Sequence, residues 1–217
     1  MKKAEIISLI IILISFLVGF YFYPRMPELM ASHWNAQGEV DGYIAKCGGL
    51  FLLPILLVIL FFIFILFPRI DPLKKNIEEF RKYFDWFFIL IIGFLFYIYL
   101  LTIVWNLGVI FEMRYFLLPA FGILFYFAGI LIEKAKRNWF IGISTPWTLS
   151  NDVVWEKTHK VGGKLFKILG IISFLGIFFL RFAFLVVIFP AILVSLYLIA
   201  YSYFEFQKEV NQKNKKL

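Results

Sequence analysis

The sequence predicts an all-α polytopic membrane protein, in which six transmembrane helices form a bundle and one amphipathic helix lies at the cytoplasmic interface. Two observations carry this prediction. Of the 217 residues, 62% are hydrophobic and the mean hydropathy is +0.88, whereas a soluble domain averages about 45–50% apolar residues. The apolar residues are also gathered into long runs, and a helix needs about 20 residues to cross a bilayer. We therefore expect one membrane domain over residues 1–217.

Five apolar runs locate the six predicted spans: residues 6–23, 48–67, 86–104, 116–133 and 165–203. The last run is too long for one helix and contains Arg181 near its middle. We therefore divide it into two spans that form a tight hairpin with Arg181 at the turn. The domain then comprises a two-span unit with an outer loop, spans three and four, a cytoplasmic signature loop, and a terminal hairpin with a basic tail: 1–67 (outer loop 24–47), 68–133, 134–164 and 165–217.

The basic residues predict the side of the membrane that each segment faces. Lys and Arg number 22, the net charge is +8, and basic residues concentrate on the cytoplasmic side of membrane helices. With six spans and a cytoplasmic N-terminus, the inner segments hold all but four of them: Arg25, Lys46, Arg114 and Arg181. The inner set includes residues near both chain ends: Lys2, Lys3, Lys213, Lys215 and Lys216. We therefore expect a multi-pass cell-membrane protein with both termini cytoplasmic and no direct contact with nucleic acid.

Two polar inner segments are predicted to be helical. Residues 68–85 carry five basic and four acidic residues, typical of a solvated helical face. In residues 134–163, Ser150 suits a helix N-cap, and a helix from there to Val161 places apolar residues on one stripe: Val154, Thr158, Val161 and Leu165. Gly162-Gly163 is predicted to break this helix before span five. The helix would lie along the membrane surface or fold back against the bundle.

The outer loop, residues 24–47, is dense in turn-forming residues. Pro27 suits a first helical position and predicts a short helix through Trp34. Three alternatives remain open for the polar residues that follow. His33 could ligate zinc with Glu39 and Asp41, or His33, Asn35 and Asp41 could hydrogen-bond the loop into one shape. The aromatic-rich loop could equally be a docking surface for an amphipathic peptide.

Little in the sequence points to catalysis. The predicted span interiors contain no Asp, Glu, Lys, Arg or His, and such residues usually mark ion or proton paths. The two histidines, His33 and His159, are predicted on opposite sides of a bilayer of about 30 Å, so they share neither a metal nor a triad. The single Cys47 excludes an intrachain disulfide and a Cys-based metal site. We predict no catalytic residues, no cofactor and no metal beyond the weak candidates His33 and Asp41.

Two segments resemble known family signatures. MPELMASHWNAQGEVDGYIAK, residues 26–46, is similar to the outer loop of the domain of unknown function that precedes SdpI-like membrane proteins. RNWFIGISTPWTLSNDVVWEKTHKVGGKLF, residues 137–166, resembles the inner-loop signature of the SdpI/YfhL family. Both segments lie where the six-span topology places them in that family, and together with the spans they cover nearly the whole chain.

The resemblance implies a role in immunity or resistance. The founding family member protects a bacterium from its own secreted peptide toxin, and it holds a winged-helix repressor at the membrane when toxin is present. The implied outer binding residues are His33, Trp34, Asn35, Gly38, Asp41, Gly42 and Lys46. The implied inner ones are Asn138, Gly142, Thr145, Pro146, Trp147, Thr148, Trp155, His159 and Gly163. The expected partners are therefore the lipid bilayer, a peptide toxin outside and a winged-helix repressor inside.

The sequence departs from the family pattern at two positions. Ser144 stands where the family often has arginine before the Thr-Pro pair, which puts repressor or phosphate binding in question. Ala31 stands where it often has proline, two residues before His33. Three hypotheses follow: an immunity protein or receptor with a hinge at Gly162-Gly163, an enzyme or transporter of lipid-soluble substrates with the Trp/His loop as its site, and a purely structural cap.

Overall fold

The structure, a computed structural model, describes residues 3–214 apart from the side chains of Phe184 and Lys213. Lys2, Lys215 and Lys216, which belong to the predicted inner basic set, lie outside the described residues. Seven helices and two strands follow one another along the chain: α1 (Lys3–Phe22), β1 (Leu29–Trp34), β2 (Val40–Ala45), α2 (Lys46–Ile70), α3 (Lys74–Asn106), α4 (Met113–Lys134), α5 (Pro146–Ser150), α6 (Asp152–Leu175) and α7 (Ala183–Asn214). Two 3₁₀ turns, Tyr23–Arg25 and Gly176–Phe182, complete the set within this range.

Six of these helices are long and apolar enough to cross a membrane, namely α1, α2, α3, α4, α6 and α7. The six-span prediction is therefore confirmed. The predicted hairpin within 165–203 is also correct, since exposed Arg181 lies in the 3₁₀ turn between α6 and α7. The helices extend beyond the apolar runs because a helix satisfies its own backbone hydrogen bonds and can continue past the lipid boundary.

The chain runs back and forth, so its connections gather at two ends. The strands, residues 107–112 and the turn 176–182 lie at one end, which we call the hairpin end. Residues 71–73 and 135–151 lie at the other, which we call the loop end. The two histidines are separated accordingly, because His33 is in β1 and His159 is near the start of α6.

The short helix predicted from Pro27 to Trp34 is wrong. Residues 29–34 form a strand that pairs antiparallel with residues 40–45, from Leu29 opposite Ala45 to Trp34 opposite Val40. The reason is the turn between them. Asn35 N–H donates to the Glu39 carbonyl and Gly38 N–H donates to the Asn35 carbonyl, both at 2.9 Å. A hairpin satisfies these backbone groups pairwise, whereas a short isolated helix is marginal in water.

The predicted break at Gly162-Gly163 is also wrong, because α6 runs without interruption from Asp152 to Leu175. Its N-cap is Asn151 rather than Ser150: the Asn151 side chain accepts hydrogen bonds from Val153 N–H at 2.9 Å and Val154 N–H at 3.2 Å. The expected interfacial helix is therefore the first part of span five, and the five-residue α5 precedes it. Its inward face is the predicted stripe at Val154 and Thr158, both fully buried.

The glycines of α6 allow close contact with α4. A Cβ atom on Gly163 would lie 2.8 Å from the Gly129 carbonyl oxygen, and one on Gly170 would lie 2.6 Å from that of Gly122. The two pairs are seven residues apart on each helix, which is about 10 Å or two turns. We call this contact of α4 with α6 the glycine seam. Small residues let membrane helices approach backbone to backbone, so these glycines serve packing rather than bending.

The connector 68–85 is only partly solvated, contrary to expectation. From Lys74 onward it is the first part of α3, where Lys74 and Lys75 are exposed. Ile77 and Phe80 are buried in a cluster with Leu131, Ile141 and Trp155. The connector thus forms one wall of the loop end. Further along α3, Phe64 stacks on Phe88 with ring centroids 3.5 Å apart and holds α2 against α3.

Candidate functional site

The tip of the hairpin is shaped by one asparagine. The Asn35 side-chain oxygen accepts hydrogen bonds from Gln37 N–H at 2.9 Å and Glu39 N–H at 3.0 Å. Gly38 has a φ of +87°, which favours glycine. A Cβ atom there would also collide with the Glu112 carboxylate. The tip therefore has one defined shape and rests on the start of α4.

His33 and Asp41 face each other across the strands. His33 Nδ1 and Asp41 Oδ1 are hydrogen-bonded at 2.5 Å, and both side chains are substantially exposed. Glu39, the third candidate zinc ligand, instead accepts from the Asn35 side-chain amide at 3.2 Å. Within residues 3–214 no group of three or more His, Cys, Asp or Glu side chains is placed to hold a metal ion. The contacts made by these four side chains are those of a loop hydrogen-bonded into one shape.

Asn106 attaches the hairpin to α3, and sequence reasoning missed it. Its side-chain oxygen accepts from Ala31 N–H at 2.8 Å, and its amide donates to the Ala31 carbonyl at 3.0 Å. The amide also donates to the Thr102 carbonyl at 2.9 Å, which orients the side chain. A proline at position 31 has no N–H to donate. The departure at Ala31 therefore adds a hydrogen bond that a proline at this position lacks.

Glu112 and Arg114 form a second attachment, which we call the arginine clasp. The Arg114 guanidinium donates to both Glu112 carboxylate oxygens, at 2.9 and 2.8 Å. One terminal nitrogen also donates to the Ala36 carbonyl in the hairpin at 2.9 Å and to the Leu180 carbonyl in the 176–182 turn at 3.1 Å. The hydrogen bond from Arg114 holds the pKa of Glu112 below its usual value. This charge-assisted pair joins three segments that are distant in sequence.

A pocket of about 260 Å³ opens beside the clasp, between the hairpin, α4 and α7; we call it the hairpin pocket. His33, Trp34 and Asn35 line it together with Arg114 and apolar side chains of the two helices: Leu117, Leu118, Phe121, Ala183, Val187 and Ile188. The Trp34 indole N–H is buried and has no hydrogen-bond partner in the described part of the chain. The indole is held edge-on against Trp105, with ring centroids 5.7 Å apart. The pocket is therefore mainly apolar, with the polar side chains of His33, Asn35 and Arg114 in its lining.

Four predicted outer residues do not line this pocket: Gly38 at the hairpin tip, described above, and Asp41, Gly42 and Lys46. Asp41 pairs with His33, and Gly42 is opposite His33 in the strand pairing. Lys46 begins α2, where its ammonium group is 2.7 Å from a Glu28 carboxylate oxygen and 4.8 Å from the Tyr23 ring centroid. These residues shape the base of the hairpin. The structure thus brings His33, Trp34 and Asn35 together and leaves Lys46 apart.

At the loop end, Asn138 serves only the backbone of its own loop. It is fully buried. Its oxygen accepts from Phe140 N–H at 3.0 Å and Ile141 N–H at 2.6 Å, and its amide donates to the Lys136 and Ile141 carbonyls, both at 2.8 Å. Asp71, which sequence reasoning missed, accepts from Trp139 N–H at 2.9 Å. Phe140 then stacks on Phe67 of α2, with ring centroids 4.4 Å apart.

His159 and Trp155 support the next part of the loop. His159 Nε2 accepts from Ile143 N–H at 2.9 Å, while Nδ1 lies 2.9 Å from the Trp155 carbonyl. Because Nε2 accepts, His159 is the neutral tautomer with its proton on Nδ1. Its ring stacks on Trp155 at a centroid distance of 3.9 Å, and the Trp155 indole donates to the Ala135 carbonyl at 2.9 Å. Gly142 has a φ of +123° and leaves no room for a Cβ beside the imidazole.

The Thr-Pro-Trp-Thr motif starts α5. Thr145 is the N-cap and accepts from Thr148 N–H at 3.2 Å, while Thr145 N–H donates to the Thr148 hydroxyl at 2.9 Å, which makes a capping box. Pro146 occupies the first turn of the helix. Thr145 also bonds the Ser202 hydroxyl of α7 at 3.0 Å, and Trp147 packs against Tyr203 with ring centroids 5.2 Å apart. Ser144, the second departure, is exposed.

The inner candidates therefore act mainly on the backbone of their own loop, although Trp155 and His159 also line a cavity beside it. A loop that folds back between α2 and α6 must have its buried polar backbone groups satisfied. Three side chains supply those partners: Asn138, Thr148 and His159. Two glycines, Gly142 and Gly163, lack a Cβ atom and so allow close contacts. Two cavities border the loop. One, of about 440 Å³, is lined by charged residues that include Lys134, Lys136 and Arg137, and the other, of about 380 Å³, is apolar.

The fold and the two ends define a six-span membrane protein with an ordered hairpin at one end and a folded-back loop at the other. Comparison with known proteins places two segments of the chain within known families. Residues 134–202 match the model of the SdpI/YfhL protein family, and residues 10–58 match that of a domain of unknown function, DUF1648. The resemblance inferred from the two signatures is therefore confirmed, since each signature falls within one of these matches.

One curated relative aligns over nearly the whole length of both proteins. Immunity protein SdpI of Bacillus subtilis (strain 168) is 24% identical over 209 residues, which cover 96% of this chain and 98% of the relative. No solved structure matches the chain. This distant similarity supports a membrane protein with an immunity-type family role.

Proposed function

We propose that this protein protects the cell that carries it against a secreted peptide toxin. The observation that carries the proposal is the alignment with an immunity protein over almost all of both chains, with both family signatures matched. Such an alignment includes the hairpin, all six long helices and the folded-back loop. The protective activity is therefore assigned to the same architecture, with the hairpin end facing the exterior and both termini in the cytoplasm.

The hairpin pocket is the proposed toxin contact. It lies at the end assigned to the exterior and is lined mainly by apolar side chains, with Trp34 among the lining residues. An apolar site with few polar groups is typical of a ligand pocket. An aliphatic or aromatic side chain of the toxin would fill it and pack against the Trp34 ring.

The loop end is the proposed signalling surface. Capture of a winged-helix repressor there requires a conformation that toxin binding favours, because a ligand shifts an equilibrium only by its differential affinity for the two states. The glycine seam couples α4, which carries Arg114, to α6, which carries His159. A small sliding of α6 along α4 would move His159 relative to the Ile143 N–H that it binds. This replaces the hinge expected at Gly162-Gly163.

A growth experiment tests protection. Two strains are compared. The first is a deletion strain of the native host, grown in medium conditioned by the undeleted parent. The second is a Bacillus subtilis strain that lacks immunity protein SdpI and expresses this protein, grown in medium conditioned by its own parent. We expect the deletion strain to lose viability and the expressing strain to gain it, with Trp34→Ala weakening protection. Ser32→Ala, an exposed change in the same strand, is the matched control and should protect fully. Normal growth of the deletion strain, together with no gain on expression, contradicts the proposal.

Sidedness is tested with single thiols. The exposed Cys47 is first changed to serine, and cysteine is then placed at Gln37 or at Ser144, both exposed. In intact cells an impermeant maleimide should label Gln37→Cys and spare Ser144→Cys until the cells are opened. The reverse pattern would contradict the proposed orientation.

The alternative, an enzyme or transporter that acts on a lipid-soluble substrate through the Trp/His loop, is less well supported by the contacts. Both ring nitrogens of His159 are engaged with backbone groups, and all hydrogen-bonding atoms of the Asn138 amide are engaged likewise. A general base needs a free nitrogen within reach of substrate. The observation that favours this alternative is the apolar cavity of about 380 Å³ beside the loop.

A further inference from the structure

A groove of about 390 Å³ lies at the loop end between α1 and α3, away from both family signatures. Two lysines, Lys3 and Lys82, stand at its rim, one on each helix. Apolar side chains form the rest, including Ile7, Ile89 and Trp86, whose side chain is 61% exposed. The groove thus pairs two cations with an apolar surface.

The two lysines carry charge that no carboxylate in the described chain neutralises. Neither forms an ion pair within residues 3–214, whereas Lys46, Lys157, Lys167 and Lys208 each pair with a glutamate. One carboxylate, Asp85, lines the groove, and it accepts from the Arg81 side chain at 2.6 Å. The rim is therefore locally positive.

The polarity of the groove is ordered along the helices. Ile7 lies one turn deeper than Lys3 on α1, while Trp86 and Ile89 lie one and two turns deeper than Lys82 on α3. The cations therefore stand at the polar end of the groove, the tryptophan lies next, and aliphatic residues follow towards the membrane core. This order matches an amphiphile with an anionic head and an apolar tail. Basic pockets between transmembrane helices bind anionic lipid head groups in this manner.

We propose that this groove binds one anionic phospholipid, with the head-group phosphate between Lys3 and Lys82 and an acyl chain along Ile7, Trp86 and Ile89. The site is separate from the hairpin pocket and does not depend on the immunity role. It would anchor α1 to α3 at the membrane surface, where the polar ends of the two helices meet lipid head groups.

The test uses the full-length protein in detergent and native mass spectrometry. Phosphatidylglycerol and phosphatidylcholine with the same acyl chains are titrated separately. The wild type should bind one phosphatidylglycerol molecule in preference to phosphatidylcholine. The double variant Lys3→Gln/Lys82→Gln should bind it about thirtyfold more weakly, since each lysine near the surface contributes about fivefold. Lys3→Arg/Lys82→Arg should retain binding, because the charge is kept.

The matched control is Lys74→Gln/Lys75→Gln, which removes the same charge from exposed positions on α3 outside the groove. It should bind phosphatidylglycerol as the wild type does. Equal binding of both lipids, or equal loss in this control, would overturn the proposal in favour of general surface attraction. Displacement by millimolar inorganic phosphate would overturn it in favour of a free-anion site.

Discussion

The hairpin end and the loop end use the same kinds of polar side chain for different purposes. At the hairpin end, Arg114 and Asn106 join separate segments to one another, and they leave a mainly apolar pocket with Trp34 in its lining. At the loop end, Asn138 and His159 direct their hydrogen bonds to backbone groups of the folded-back loop. The difference shows that a family signature does not by itself mark a ligand contact, since one signature surrounds a pocket while the other mainly holds a loop in shape.

Burial explains the contrast. An unsatisfied polar group costs free energy in proportion to its removal from water. Asn35 at the hairpin tip is partly exposed, so water can replace its bonds, whereas Asn138 is fully buried and water cannot. A buried loop must therefore contain its own hydrogen-bond partners. A partly exposed hairpin can instead present polar groups to a ligand.

The largest expected effect compares the two asparagines directly. Asn138→Ala removes four hydrogen bonds to buried backbone groups and should lower the free energy of unfolding by about 3–5 kcal/mol. Asn35→Ala, the same change at the hairpin tip, should cost about 1 kcal/mol. The melting temperature in detergent is the measurement. Equal losses of stability in the two variants would mean that burial does not explain the difference between the hairpin end and the loop end.

The glycine seam that joins the two ends gives a second comparison. Gly163→Ala places a methyl group 2.8 Å from the Gly129 carbonyl oxygen and should destabilise by about 1–3 kcal/mol through overpacking. Gly93→Ala on α3 meets nothing within 4 Å and should stabilise by about 0.5–1 kcal/mol, because alanine favours helix. Opposite signs in the thermal unfolding of the two variants are the expected result. A stabilising Gly163→Ala would contradict the seam.

The smallest expected effect is pH dependence at the arginine clasp. Because the pKa of Glu112 is lowered in the folded state, its pairing with Arg114 stabilises the protein above the ordinary glutamate pKa. That stability should be lost as the pH falls through the lowered folded-state pKa. The difference in melting temperature between wild type and Glu112→Gln should therefore be present at pH 7 and shrink towards pH 3. A difference that grows in acid would exclude the assigned pairing.

Much of the architecture was predictable because its signals are local. Apolar runs located the six spans, and Arg181 between two apolar stretches marked the α6–α7 turn. The polar composition of the outer loop also indicated a hydrogen-bonded shape, which Asn35 and the His33–Asp41 pair now show. What failed was the hairpin, since Pro27 suggested a helix while the pairing of residues 29–34 with 40–45 is set by contacts across the turn.

The missed site residues share one property, which is partners far away in sequence. Asn106 binds Ala31 across 75 positions, and Arg114 binds Ala36 and Leu180 across 78 and 66. Asp71 binds Trp139 across 68 positions. No periodicity or motif near these residues indicates such distant partners. A seven-residue glycine spacing on two helices was the one available signal for the seam, and it differs from the four-residue spacing usual for small residues.

By itself, the sequence determined that this chain lives in a membrane, how many times it crosses and which family signatures it resembles, because hydropathy and signature motifs are local properties of the chain. Only the tertiary structure decided what the signature residues do. Gly162-Gly163 became a packing surface rather than a hinge, and His159 became a support for the Ile143 backbone. Those roles depend on which groups meet when helices pack, and packing brings together residues that are far apart in sequence.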